Sequence, residues 1–349
     1  NRSLRGRFNE RQVMSMRKIL KKVISVALAA TFALAMTACG SSTEKKTEEA
    51  GLVHCTLAFS TWIGSGPFYI AKEKGFFEEN GLDVDIKIID DESTFASLLG
   101  SQQIDALGHV MDRDVINFTK GIEETCIMPY DQSSGGDGII ASAEIQSVED
   151  LKGKKVALDK SATGYFFFLT VLAEAGIDES EVTIVDMDAD SAATAFVQGQ
   201  VDAAETWEPW LSNANEREGG HLLCSSADYP DTIVDCVFMT NAFIKEHPDE
   251  VKGFVKAWNE AVDWYYDGNQ DEGNKIMAEG LNIEVADAES QVAGVTWYNK
   301  DTAAEFFDES ADNNIYDMAS RAVDFWAERK IVDKTIDVKD FITSDYLEK

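Results

Sequence analysis

Histidine and cysteine are scarce in this 349-residue chain, and the scarcity removes several classes of function. The four histidines and five cysteines show neither CxxC nor HExxH spacing, which argues against a zinc or redox centre. The chain also lacks a GxSxG nucleophile elbow, a P-loop and a DxDxDG calcium loop. We therefore expect no catalytic residues, no bound metal and no cofactor.

Positive charge is also in short supply. The sequence has 31 Lys+Arg against 63 Asp+Glu, a net charge of −32. Residues 1–38 hold eight of the basic residues and one of the acidic ones, so the remainder has 23 against 62, or −39. Because each phosphate contact requires local positive charge, we expect no nucleic-acid partner. The same imbalance argues against docking on anionic lipid through a basic face.

The longest apolar run lies near the N-terminus and is typical of a signal peptide. In "MRKILKKVISVALAATFALAMTAC", a basic start precedes an apolar stretch of about 14 residues, which is short for a membrane span. A buried core helix is the alternative. The end, "MTAC", resembles the lipobox of bacterial lipoproteins, which implies cleavage before Cys39 and acylation of its sulfur. We expect residues 1–38 to be a signal peptide, with 1–15 an over-long start.

The segment after Cys39 is small, polar and charged, and residues 39–51 are expected to form a lipid-anchored tether. About 300 residues follow, enough for a large core, which we expect to be divided between two lobes of a monomer. Four further cysteines could be buried thiols, or Cys224 and Cys236 could form a disulfide, and spacing alone does not decide between these.

Alternating and periodic stretches predict the order β-α-β-α-β twice. The first unit has strands at 53–60, 82–89 and 104–109, with helices from Pro67 to about Gly75 and over 93–103. The second has strands at 153–160, 181–187 and 201–207, with helices over 161–176 and 191–200. This order implies parallel strands covered by helices on both faces, so the predicted class is α/β with a mainly parallel sheet in each lobe.

The two units also resemble each other in sequence. "FASLLGSQQIDALG" and "ATAFVQGQVDAAE" both have a small-residue helix, then Ile/Val-Asp-Ala and a buried strand. "GIIAS" at 138–142 and "TIVDCVFMTN" at 232–241 are the candidate crossings between lobes. We expect one lobe to comprise 52–138 and 237–349, and the other 139–236. The region after 241 is expected to be mainly helical, with aromatic residues at helical spacing in its core.

Ligands of α/β sheets bind beyond the carboxyl ends of the strands, near helix N-termini. Five segments meet this description: "STWIGSG", "GHVMDRD", "SSGGDG", "DKSATGY" and "ETWEPW". In "SATG", hydroxyls and exposed amides at a helix start suit an oxygen of a ligand, although Ser161 could simply cap that helix. The candidate ligand-binding residues are Thr61, Trp62, Asp112, Asp137, Ser161, Thr163, Gly164, Glu205, Trp207 and Glu208.

Acids outnumber bases in these segments, where Arg113 and Lys160 are the basic residues. This balance suits a ligand with an amine end or a zwitterion better than a bare anion. Alternative interpretations are that Asp137 only forms a turn, that Asp112 pairs with Arg113, and that the glutamates are solvated.

Four stretches in order carry a family resemblance over about residues 52–330: "WIGSGPFYIAKEKGFFEENGLDVDI", "VEDLKGKKVALDKSATGYFFFLTVLAEAGID", "AATAFVQGQVDAAETWEPWL" and "IVDCVFMTNAFIKEHPDEVKGFVKAW". They resemble the nitrate/sulfonate/taurine group of ABC-importer solute-binding proteins, to which binders of thiamine pyrimidine precursors are related. The resemblance implies a two-lobed periplasmic-binding-protein fold of type II. It also implies a small ligand between the lobes and an ABC permease as partner, on the outer face of the cell membrane.

The resemblance assigns ligand contacts to Thr61–Trp62, Ser161–Thr163–Gly164 and Trp207–Glu208. Because of the acid excess, we expect a zwitterionic, taurine- or sulfonate-like nutrient rather than nitrate. The alternative ligand is a thiamine pyrimidine precursor or another small amine-bearing heterocycle. An enzyme on the same fold is a third interpretation, and the lack of catalytic motifs argues against it.

Overall fold

The computed structural model describes residues 51–215, 217–230, 232–332 and 336–348. The predicted signal peptide, Cys39 and most of the predicted tether lie outside these residues. Eleven strands form two sheets: β1 Val53–Phe59, β2 Leu82–Ile88, β3 Ala106–Val110, β4 Glu124–Ser133, β5 Asp137–Ser142, β6 Lys155–Leu158, β7 Thr183–Asp186, β8 Ala203–Trp207, β9 Gly220–Ser225, β10 Val234–Thr240 and β11 Val295–Trp297.

The strand orders are β11-β4-β10-β3-β1-β2 in the six-stranded sheet and β7-β6-β8-β5-β9 in the five-stranded sheet. Both contain the same parallel triplet, β2-β1-β3 and β7-β6-β8, with the first strand in the centre. The repeated Asp of Ile/Val-Asp-Ala has the same role in each triplet. Asp105 Oδ2 accepts a hydrogen bond from Thr56 N at 2.8 Å, and Asp202 Oδ2 accepts one from Lys155 N at 2.8 Å.

The predicted α/β fold is confirmed, and each sheet also contains antiparallel pairs. Beyond the parallel triplets, β10 pairs antiparallel with β3 and β4, β11 with β4, and β5 with β8 and β9. The chain passes from one sheet to the other after β4 and returns at β10. β5 and β10, which follow these passages, therefore run against the triplets, whereas β4 and β9 run with them. Both sheets are mixed.

The helices that cover the sheets and form the C-terminal region are α1 Gly66–Glu73, α2 Phe76–Glu79, α3 Phe95–Gly100, α4 Met111–Thr119, α5 Thr163–Glu174, α6 Ala189–Val197, α7 Trp210–Asn215, α8 Asn241–Glu246, α9 Pro248–Tyr266, α10 Gln270–Leu281, α11 Val285–Gln291, α12 Lys300–Phe306 and α13 Ile315–Glu328. Pro67 lies in the first turn of α1, where its missing N–H costs no hydrogen bond. No helix of the described ranges combines the length and apolar character needed to cross a membrane.

Apolar packing holds each sheet against its helices. Phe254, Trp258, Val262 and Tyr265 of α9 are buried in a cluster with Phe68, as their helical spacing predicts. A second cluster joins α5 to α13 and includes Phe167 and Trp326. All four cysteines of the described ranges are free and buried: Cys55, Cys126, Cys224 and Cys236. Cys224 and Cys236 are therefore buried thiols and do not form a disulfide.

Candidate functional site

A cleft of about 390 Å³ lies where the two sheets face each other. It opens at the carboxyl ends of β1, β3 and β8, the positions at which α/β sheets bind ligands. Its wall is formed by Phe59, Ser60, Trp62, Ser65, Glu92, Gly108, His109, Val110, Tyr130, Asp137, Thr163, Trp207, Ile233 and Asp235. Both sheets contribute to this wall, so a solute in the cleft would contact both.

Two tryptophans from different sheets meet at this cleft. Trp62 follows β1 and Trp207 ends β8, and they are 6% and 8% exposed in a shared apolar cluster. Trp62 Nε1 donates to Asp131 Oδ2 at 3.0 Å and to Oδ1 at 3.2 Å. Trp207 Nε1 donates to the carbonyl oxygen of Thr61 at 3.3 Å. These bonds fix both indoles, and the second bond links the two sheets.

His109 and Glu92 form a buried charged pair in the cleft wall. Nδ1 of His109 is hydrogen-bonded to Asp114, and Nε2 lies 3.4 Å from Glu92 Oε2. Burial alone would lower the pKa of His109, but the charge and hydrogen bond of Asp114, with Glu92, raise it to about 10. Burial opposes the charge of Glu92, but His109 and the hydroxyl of Ser60 hold the pKa of Glu92 below its ordinary value. Both groups are therefore ionised at neutral pH.

Asp137 and Asp235 are buried carboxyl groups that form no ion pair within the described residues. Burial raises the pKa of Asp137 to about 7, against hydrogen bonding from Ser133. Burial and the charge of Asp137 raise the pKa of Asp235 to about 8. Tyr130 OH donates to Asp235 Oδ1 at 3.3 Å. In both cases hydroxyl groups donate hydrogen bonds to the carboxyl group. A cation in the cleft would favour the ionised form of both carboxyl groups.

The start of α5 brings a second hydrogen bond between elements of the two sheets. Thr163 Oγ1 lines the cleft and donates to Asp112 Oδ1 of α4 at 2.8 Å. Ser161 does not cap α5, because its Oγ donates to Asp159 Oδ1 at 2.6 Å and Ala162 occupies the cap position. Ser161 lies outside the cleft wall.

Gly164 and Glu205 pack against each other behind this wall. A Cβ added to Gly164 would lie 1.8 Å from Glu205 Oε2, so a larger residue there would require that carboxyl group to move. Glu205 is 1% exposed, and neither oxygen has a hydrogen-bond partner among the described residues. Burial, followed by the charges of Asp137 and Asp159, raises the pKa of Glu205 well above its ordinary value. Glu205 is thus a neutral packing group next to the site.

Three other predicted residues lie beside the cleft rather than in its wall. Thr61 contributes its carbonyl oxygen to Trp207 and its amide to Asp90 Oδ1, at 2.8 Å from the latter. Asp112 is fully buried and holds Thr163. Glu208 accepts hydrogen bonds from Ser212 N and Oγ at 3.1 and 2.7 Å, at the start of α7. Of the ten predicted residues, the wall contains Trp62, Asp137, Thr163 and Trp207.

Sequence reasoning missed several wall residues that carry polar chemistry: Ser60, Ser65, Glu92, His109, Tyr130 and Asp235. His109 lies within the segment "GHVMDRD", from which only Asp112 is predicted to bind the ligand. Glu92 follows β2, and the rule that selected the other strand ends applies to that end as well. Within the described ranges, no three His, Cys, Asp or Glu side chains are arranged to hold a metal ion.

Comparison with known proteins identifies the fold and the family. The chain is 29% identical over 299 residues to the "Putative aliphatic sulfonates-binding protein" of Bacillus subtilis (strain 168), covering 81% of this chain and 84% of that protein. Among solved structures, the alkanesulfonate-binding protein SsuA from Xanthomonas axonopodis pv. citri, bound to MOPS, aligns with a TM-score of 0.68 and 17% identity. That alignment covers 84% of this chain and 99% of SsuA.

An enzyme also shares the architecture. The desulfurization enzyme DSZB aligns with a TM-score of 0.61 and 13% identity, covering 84% of this chain and 97% of that one. These likenesses show that the chain has the periplasmic-binding-protein fold predicted from its sequence. The family model described as "NMT1/THI5 like" matches residues 62–272, more than half of the chain. The chain therefore belongs to the NMT1/THI5-like family, in agreement with the resemblance read from its sequence.

Proposed function

We propose that this protein is the extracytoplasmic solute-binding component of an ABC importer. It binds a small polar nutrient in the cleft and delivers it to a membrane permease. The observation that carries this proposal is the pair of buried indoles, Trp62 and Trp207, which reach one cleft from two different sheets. Convergent aromatic and polar groups in a concave site are typical of small-molecule binding.

The proposed ligand carries an amine. Glu92, Asp137 and Asp235 in the wall favour a positive group, and the name of the Bacillus subtilis relative favours a sulfonate. A zwitterion of the taurine type satisfies both. The alternative is a thiamine pyrimidine precursor or another small amine-bearing heterocycle, for which the aromatic walls would hold the ring.

The proposed mechanism is closure of two lobes, 52–138 with 237–349 and 139–236. Trp207 Nε1 to Thr61 O and Thr163 Oγ1 to Asp112 Oδ1 are hydrogen bonds that a closed arrangement makes across the cleft. A ligand that contacts both lobes binds the closed state better and shifts the population towards it. Thr61, Asp112, Ser161, Gly164, Glu205 and Glu208 would support this wall from behind rather than contact the ligand.

The remaining parts of the proposal concern the location and the partners of the protein. Acylation of Cys39 would keep a monomer on the outer face of the membrane, near its permease, and the tether would let it reach that partner. A non-enzymatic role follows from the absence of a catalytic motif in the sequence, and it agrees with the name of the Bacillus subtilis relative.

A thermal-shift screen tests the binding function. The probes are taurine, alkanesulfonates, nitrate and aminopyrimidines, each added to the full chain. A ligand at 100 times its Kd stabilises the folded state by about 2.7 kcal/mol, which moves the unfolding midpoint measurably. We expect at least one probe to do so and to be recovered chemically unchanged by NMR. A screen without any shift, or conversion of the probe, would contradict the proposal.

A further inference from the structure

The cleft has a surplus of acceptors over donors, and this surplus selects among the candidate ligands. Its wall holds three carboxyl groups, Glu92, Asp137 and Asp235. The single basic residue of the wall is His109, since the described residues that line it include neither Lys nor Arg. An oxyanion entering this space would lie beside three carboxyl groups in a poorly hydrated environment, where charge interactions are strong.

His109 does not provide a free positive charge for such an oxyanion. Its Nδ1 is hydrogen-bonded to Asp114, and its Nε2 faces Glu92 Oε2 at 3.4 Å. Two carboxylates thus already surround one imidazolium. Nε2 forms no hydrogen bond within the described residues, and an oxyanion that bonded to it would share it with Glu92, which is held by Ser60 Oγ at 2.8 Å.

Four other side-chain donors of the wall already form hydrogen bonds within the protein. Both indole N–H groups donate within the protein, to Asp131 and to the carbonyl of Thr61. The hydroxyls of Ser60 and Thr163 donate to Glu92 and Asp112. A sulfonate has three oxygens that require donors after dehydration, and these four side chains could supply them only by breaking existing bonds.

Two carboxyl groups without an ion pair lie on opposite sides of the cleft. Asp137 begins β5 of the five-stranded sheet, and Asp235 lies in β10 of the six-stranded sheet. They are 3% and 7% exposed, and neither forms an ion pair within the described residues. Trp62 and Trp207, whose rings attract cations, line the same space.

We propose that the group recognised by this cleft is an organic cation, a protonated amine or amidine on a flat apolar body, held between Asp137 and Asp235 and against the indoles of Trp62 and Trp207. This inference rests on the proposed solute-binding function and narrows it. The acidic end of a zwitterion is not required for binding. Because the two aspartates belong to different sheets, the cation also links the two sides of the cleft.

A matched pair of probes tests the inference on the full chain. Benzamidinium and benzenesulfonate share a phenyl body and carry opposite charges, and taurine is the zwitterionic comparison. In thermal shift and isothermal titration calorimetry, we expect benzamidinium to bind and to raise the unfolding midpoint. Benzenesulfonate should have no effect at the same concentration, and taurine should bind more weakly than benzamidinium.

Variants assign the effect to the two aspartates. Asp137→Asn and Asp235→Asn should each weaken benzamidinium binding by about tenfold or more, as expected for loss of a desolvated charge partner. Asp271→Asn, at an exposed acid of α10, is the matched control and should leave the affinity unchanged. Benzamidinium binding that survives both cleft substitutions would overturn the assignment.

The remaining outcomes separate this inference from the proposed function. Tighter binding of benzenesulfonate or taurine than of benzamidinium would overturn the cation inference and leave the solute-binding function intact. If these probes and those of the screen above all fail to bind, both are overturned.

Discussion

Replacement of Trp207 should weaken ligand binding directly. Trp207 ends β8, is 8% exposed and presents an indole to the cleft while bonding to Thr61 across it. Trp207→Ala should weaken binding of the best probe by on the order of 1–3 kcal/mol, because a desolvated aromatic contact is lost. Isothermal titration calorimetry measures the change.

Two control variants separate the possible causes of this loss. Trp207→Phe retains a ring without the N–H donor and should lose less affinity than Trp207→Ala. Trp264→Ala removes a tryptophan that lies outside the cleft wall and should leave the affinity unchanged. Unaltered binding by a folded Trp207→Ala protein would remove Trp207 from the site.

Ionisation of Asp235 should destabilise the ligand-free protein at high pH. Burial and the charge of Asp137 raise the folded-state pKa of Asp235 to about 8, above the ordinary value of 3.8. For a raised acid, the contribution to stability is full below the unfolded-state pKa and is lost as pH rises through the folded-state pKa. Glu92 and Asp131 also face Asp235 and add repulsion, whereas His109 opposes it.

Asp235→Asn should therefore gain stability relative to the wild type between pH 5 and pH 9, by on the order of 2–4 kcal/mol. Urea unfolding of both proteins at the two pH values measures this. Comparing the two proteins removes the titration of groups that both share. An equal loss of stability between pH 5 and pH 9 in both proteins would show that Asp235 does not titrate in this range.

Sequence position predicted the residues that directly follow strands or open helices, such as Trp62, Trp207 and Thr163. It could not tell which side chains face the cleft. Asp112 and Glu205 are acids at corresponding strand or helix ends, yet both are buried behind the wall. His109 and Asp235 were missed because their roles depend on Asp114, Glu92 and Asp137, which meet them only in the folded chain.

The start of α5 packs closely against β8. Gly164 leaves the space that the carboxyl group of Glu205 occupies, with Oε2 1.8 Å from where a Cβ would stand. Gly164→Ala should destabilise the protein by about 1–3 kcal/mol through overpacking, measured by urea unfolding. In a background of Glu205→Ala the same substitution should cost much less. Equal costs in both backgrounds would refute this contact.

The repeated β-α-β-α-β units were the most predictable elements. Their hydrophobic periodicity and the order of strands and helices can be read from the sequence without knowing which strands pair. The same Asp at 105 and 202 even bonds the first strand of each unit in the same way. Helix bounds were less predictable. The helix predicted over 93–103 spans Phe95–Gly100, and the N-cap residue of α5 is Ala162 rather than Ser161. The antiparallel strands depend on where the chain crosses between sheets, which spacing along the sequence does not determine.

The molecule as a whole is expected to be tethered to a membrane through Cys39. Cys39→Ser removes the sulfur to which the lipid would be attached. The variant should therefore move from the membrane fraction to the soluble fraction, whereas Cys55→Ser, at a buried thiol of β1, should remain with membranes. Fractionation after washing without detergent measures this. Retention of Cys39→Ser on the membrane would contradict acylation at this residue.

The two lobes are proposed to close around a small solute. Small-angle X-ray scattering of the full chain, with and without the probe that raises the unfolding midpoint most, tests this closure directly. We predict a smaller radius of gyration with the probe, and no such change for a Trp207→Ala protein that no longer binds it. Identical scattering profiles at a probe concentration that saturates the wild type would contradict the account.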